Sequence, residues 1–140
     1  MERAVWAVMV TALCIASFTD IRTKTIPIPT FPAAFAACLA IRLHAGTLSA
    51  NHWFGLGIMA VIALNLCVLS SFGGGDLLML SAVGFATGAT GAFLFSVFSA
   101  LLSVVVLIYL LVKKRVSERV AMAPVVLVSY CITILFSILR

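Results

Sequence analysis

The chain has 140 residues, 64% of them hydrophobic and 9% charged, with a mean hydropathy of +1.29. A soluble domain carries about 25% charged residues, so the composition excludes one and describes an all-α integral membrane protein: a single bundle over residues 1–140 with no room for a second domain. The net charge of +5 rests on a few loop positions, not on a stripe, which points to membrane topology and away from a nucleic-acid partner.

Six helical spans are expected. Residues 4–19 form the first apolar segment. The positive region before it is weak, because Glu2 offsets Arg3, and Ala16-Ser17-Phe18 is a poor cleavage site, so the segment reads as a retained span and not a signal peptide. Asp20 closes it and opens the polar turn that runs to Ile26-Pro27. Residues before proline avoid the helix, so Thr25-Ile26-Pro27-Ile28-Pro29 ends the first hairpin in an extended form. The second span is 30–45 and the third 53–71, followed by Gly73-Gly74-Gly75-Asp76. Residues 77–112 are apolar throughout and too long for one crossing of about 20 residues. The break falls at Thr87-Gly88-Ala89-Thr90-Gly91, giving spans 76–90 and 92–112. Gly84-x-x-x-Gly88 predicts close helix packing. Lys113-Lys114-Arg115 reads as a topology anchor with room for anionic-lipid contact. The last span is 120–139, where Ala123-Pro124 either kinks the helix or starts its regular part. The second and fourth spans are short, which leaves space for a water-filled cavity where irregular backbone is tolerated.

Lys and Arg orient the bundle. Arg22, Lys24, Lys113, Lys114, Arg115 and Arg119 follow the odd-numbered spans, against Arg3, Arg42 and Arg140 on the other side. The first set belongs in the cytoplasm. The four cysteines, Cys14, Cys38, Cys67 and Cys131, lie apart within apolar segments and read as structural thiols. His44 and His52 fall in the loop opposite the acids and are not expected to bind metal.

The acids carry the chemistry. The chain has two aspartates, Asp20 and Asp76, each where an apolar run meets a turn, and the topology puts both at one membrane face. Acids in such a chain are costly and mark function. Two carboxylates that share a proton can hydrolyse a peptide: the ionised one activates water, and the protonated one polarises the carbonyl. Asp76 at a helix start is favoured as the ionised member and Asp20 at a helix end as the protonated one, although Arg22 and Lys24 oppose this. Gly73, Gly74 and Gly75 leave space for an extended substrate beside Asp76; a turn with an N-cap is the structural alternative.

Asp20-x-x-x-x-x-Ile26-Pro27 with Gly73-x-Gly75-Asp76 resembles the type IV prepilin peptidase family of Gly-x-Gly-Asp membrane aspartyl proteases, in its short form serving tight-adherence (Flp-type) pili. The similarity extends over most of the chain, including Ala123-Pro124. The resemblance implies that Asp20 and Asp76 are the catalytic pair, supported by the glycines, Ile26, Pro27 and Pro124. It implies cleavage of a short basic leader from prepilin or pseudopilin precursors at the cytoplasmic face of the bacterial inner membrane. It also implies no metal or organic cofactor. The family usually has Asn where this chain has Ile28, and often Lys where it has Leu78. Longer relatives also N-methylate the product through a cysteine-rich loop that this chain lacks, so methyltransferase activity is not expected. The competing readings are a small transporter or proton-coupled component and a non-catalytic pilus-assembly factor. The absence of charge at mid-membrane depth in the other spans and of an inverted repeat weighs against transport.

Overall fold

The computed structural model describes residues 2–23, 28–69, 74–112 and 123–139, and within them every residue outside 28–29 and 45–49 is helical. The described residues form five helical elements: α1 (Glu2–Thr23), α2 (Thr30–His44), α3 (Ala50–Leu69), α4 (Gly74–Val112) and α5 (Ala123–Leu139). The chain is an all-α membrane protein. α1, α3 and α4 are long and apolar enough to cross a bilayer, while α2 and α5 are shorter apolar helices.

Apolar spacing decides which faces meet. α1 buries Val5, Met9, Ala12, Leu13, Ala16, Ser17 and Asp20, one stripe at helical spacing. α5 buries Ala123, Val126, Tyr130 and Thr133 in the same way. The early part of α4 is buried nearly all round, through Met79, Leu80, Ala82, Val83, Phe85 and Ala86, and is the central helix. The outer faces carry exposed large apolar residues such as Val61, Phe93, Leu101 and Val105, a lipid-facing coat that water would not tolerate.

At 39 residues, a straight α4 would run about 58 Å, twice the hydrocarbon thickness. It does not run straight. Gly88 has φ 70 and ψ 178, a region open essentially to glycine alone. Met59 on α3 shows how far the chain turns there. Its Cγ would lie 2.6 Å from a methyl built on Gly84, and its Sδ lies 3.3 Å from the Ser96 Oγ. A straight helix would hold residues 84 and 96 about 18 Å apart. The two limbs of α4, before and after Gly88, therefore fold back on each other along α3. The expected division of 77–112 falls at this glycine.

Two side chains secure the turn. Arg42 is 3% exposed and donates from Nη2 to the Ala86 carbonyl at 2.7 Å, one of the carbonyls left without a helical partner where the first limb ends. Asn51 Oδ1 accepts the Ala89 N–H at 3.3 Å at the start of the second limb. The expected close packing at Gly84 is against Gly55 of α3: a methyl on either would run into the other's carbonyl oxygen, so the two backbones touch.

Several boundaries differ from expectation. α1 continues past residue 19 to Thr23, whose hydroxyl donates to the Thr19 carbonyl at 2.8 Å, because a helix ends where its hydrogen bonds end and not where its hydropathy does. α3 starts at Ala50, so His52 lies in a helix, buried, its ring centroid 6.0 Å from that of Phe85, and not in a loop. Arg42 likewise belongs to α2. The start of the last span at residue 120 and the basic run 113–115 lie outside the described residues.

Candidate active site

The contacts locate both aspartates at one end of the bundle. Arg42 touches Ala86, while Phe31 and Phe35 share a cavity wall with Leu78 and Ala82, so α2 and the first limb of α4 run in the same direction. Near the Arg42 end, the Val5 carbonyl of α1 meets the Cys38 thiol of α2 at 3.9 Å. Asp20 lies 15 residues further along α1, about 22 Å away, and Asp76 lies 12 residues before Gly88, about 18 Å away. Both stand at the end opposite Arg42 and the Gly88 turn.

Asp20 sits in the last turns of α1 and is 7% exposed. Its Oδ2 accepts the backbone N–H of Ala123 at 3.1 Å. Ala123 is the first residue of α5, so Asp20 caps that helix from 103 residues away in the chain. The sequence argument placed Asp20 only at the end of α1. Its surroundings are set by two helix ends of opposite sign, the C-terminal end of α1 and the N-terminal end of α5. Arg22 does not share this face. Its guanidinium lies over the Phe18 ring, 4.4 Å from the centroid, on the exposed side of α1.

Asp76 is half-buried in the first turn of α4, where free backbone N–H groups favour a carboxylate. Gly74 and Gly75 belong to that same turn, so the helix starts two residues earlier than expected and includes them. Among the described residues, no atom other than its own neighbours would lie within 4 Å of a methyl on Gly74. Pro124 is the second residue of α5, half-buried. Its missing N–H costs nothing in a first turn, so it starts the helix and does not kink it. Gly73, Ile26 and Pro27 lie outside the described residues. Of the two departures from the family pattern, Ile28 is 63% exposed and Leu78 lines an apolar groove.

The structure thus joins Asp20 directly to Ala123, the residue before Pro124, and sets Asp76 with Gly74 and Gly75 at the same end. Sequence reasoning missed the Asp20–Ala123 bond because it joins the two ends of the chain. The Ala123-Pro124 pair was the visible signal that something starts there. Among the described residues no cluster of His, Cys, Asp or Glu could hold a metal ion.

No curated protein and no solved structure gave a significant match to the chain. The family model described as the type IV leader peptidase family matches residues 7–108. That stretch takes in both Asp20 and Asp76 and stops before α5, so Ala123-Pro124 lies beyond it. With nearly three quarters of its length matched, and both acids inside the match, this membrane chain belongs to the type IV leader peptidase family.

Proposed function

We propose that this peptidase is an aspartic endopeptidase that removes the short basic leader from type IV or Flp-type prepilins, with Asp20 and Asp76 as the catalytic pair. The observation that supports the reading is that the two aspartates of the chain, from α1 and α4, lie toward the same end of the bundle. One carboxylate takes a proton from the attacking water. The other, protonated, polarises the scissile carbonyl and then passes its proton to the leaving amine. The Ala123 N–H holds Asp20 in place, and the glycine turn lets an extended substrate lie against Asp76. The basic residues of the flanking loops support a cytoplasmic position for this end at the inner membrane, where a basic leader is reached without crossing the bilayer. The reaction requires no metal or organic cofactor, and no methyl transfer accompanies it.

The test is co-expression with a small pilin precursor, with the mass of the pilin as readout, in wild type, Asp20→Asn and Asp76→Asn. Wild type removes the leader and adds no methyl group. Each mutant loses about 10²–10⁴-fold in rate, the share of a general acid or base. Cleavage that persists in either mutant sinks the two-aspartate mechanism, and an uncleaved precursor in wild type sinks the substrate assignment.

A further inference from the structure

α1 buries Ser17 and Asp20 on one face, 6% and 7% exposed. Residues three apart are neighbours across one turn of helix. Helical side chains lean toward the N-terminus, so the Asp20 carboxyl leans back toward the turn that carries Ser17. The Ser17 Oγ is enclosed and has no hydrogen-bond partner among the described residues. The other hydroxyls of α1 are satisfied by their own helix. Thr11 donates to the Ala7 carbonyl at 2.8 Å, Thr19 to that of Ala16 at 2.9 Å and Thr23 to that of Thr19 at 2.8 Å. Ser17 makes no such bond to the turn before it. Arg42 Nε, His52 Nδ1 and Tyr130 Oη are buried without a partner too. Arg42 and His52 lie at the Gly88 turn, however, and Tyr130 is seven residues past Ala123 along α5, about 10 Å. Of these groups Ser17 alone stands within a turn of an aspartate.

We infer that Ser17 is a positioning residue for Asp20, its hydroxyl becoming the second hydrogen-bond partner of that carboxyl when substrate is bound. The inference rests on the peptidase reading above and adds a residue to the same site. Three arguments carry it. First, an enclosed hydroxyl without a partner costs stability, and packing does not require one here. Ala12 and Ala16 fill the same buried stripe with no polar atom. Second, Asp20 is held at Oδ2 by the Ala123 N–H. One bond fixes one oxygen; a second, on Oδ1, fixes the plane of the carboxyl, and each oxygen keeps a lone pair for the attacking water. Third, the carboxyls of such a pair gain and lose a proton in each turnover. An N–H can only donate, whereas a hydroxyl donates to a carboxylate and accepts from a carboxylic acid. Ser17 can therefore follow Asp20 through both states, and Ala123 through one. A bond that forms only in the substrate complex is the common behaviour of catalytic hydrogen bonds. Enclosure keeps the Ser17 hydroxyl from the substrate itself, so it acts through Asp20.

The test reads steady-state cleavage of a prepilin and thermal melting on the same variants of the full chain. Ser17→Ala is expected to lower kcat about 10–100-fold, the worth of a hydrogen bond to a charged group, with KM little changed. It is also expected to melt no lower than wild type, because it removes an unsatisfied buried group. Ser17→Thr keeps the hydroxyl and is expected to keep most of the wild-type kcat. Thr11→Ala, which removes an exposed hydroxyl already bonded to its own helix, leaves kcat unchanged. A Ser17→Ala variant with wild-type kcat overturns the inference. So does one whose melting falls along with its kcat, which marks a structural hydroxyl, and so does a Ser17→Thr that melts like wild type yet cleaves as slowly as Ser17→Ala. All three are read against a wild type that cleaves; precursor left uncleaved by wild type overturns the peptidase reading and this inference with it.

Discussion

Asp20 has two jobs that different substitutions separate. Its carboxylate caps α5 through the Ala123 N–H, and it is the proposed partner of Asp76 in catalysis. Asn keeps an acceptor oxygen at that place and Ala does not. Asp20→Asn is therefore expected to melt near wild type in detergent while losing cleavage. Asp20→Ala loses cleavage and about 1 kcal/mol of stability as well, the usual cost of a lost N-cap. Equal melting of the two variants would show that the cap contributes nothing. Both aspartates were legible in the sequence because an acid in an apolar chain has few structural excuses. The Arg42–Ala86 bond was not, since the need of that carbonyl arises only from a helix end created 46 residues later by Gly88 and from the packing of α2 on α4.

Among the elements, α4 depends on its turn. Gly88→Ala forces a side chain into a conformation that costs about 1–3 kcal/mol, and the new methyl would lie 2.5 Å from the Asn51 Nδ2. The melting temperature is expected to fall accordingly, and a variant as stable as wild type would show that the limbs can part without loss. Asn51→Ala acts on the same turn with a smaller loss, about 0.5–1 kcal/mol, because its bond to Ala89 is long. The sequence showed the break itself, from a run too long for one crossing and a cluster of Gly and Thr. It did not show the helix starts at Ala50 and Gly74. Those boundaries follow from contacts made at a distance: Asn51 is drawn to Ala89, and a glycine can enter a first turn as readily as the loop before it.

For the molecule as a whole, the charge asymmetry is sharper than a count of the sequence indicates. Arg42 is buried within the bundle and bonded to Ala86, so it is no loop charge and does not contend for orientation. The expected topology has residues 28–29 in the cytoplasm and residues 45–49 outside. A membrane-impermeant thiol reagent applied to intact cells is therefore expected to label Ser49→Cys and to spare Ile28→Cys, and inverted vesicles to give the reverse. Ile28 and Ser49 are both exposed, so accessibility to the reagent depends on the side of the membrane alone. Labelling of both from one side would overturn the arrangement of α1 and α2 as a hairpin.

The unequal lengths of the helices have a consequence for the bilayer itself. α3 starts level with the Gly88 turn, through Asn51, and runs 20 residues, about 30 Å. From the same level, α2 and the first limb of α4 end after about 22 Å and 21 Å. A hydrophobic stretch shorter than the hydrocarbon thickness thins the bilayer around it. A bilayer is therefore expected to thin on one flank of the molecule, at the end that holds the aspartates. Headgroups and water would then stand closer to Asp76, and under the proposed function a charged leader would have a shorter descent to the acids than an undeformed leaflet would impose.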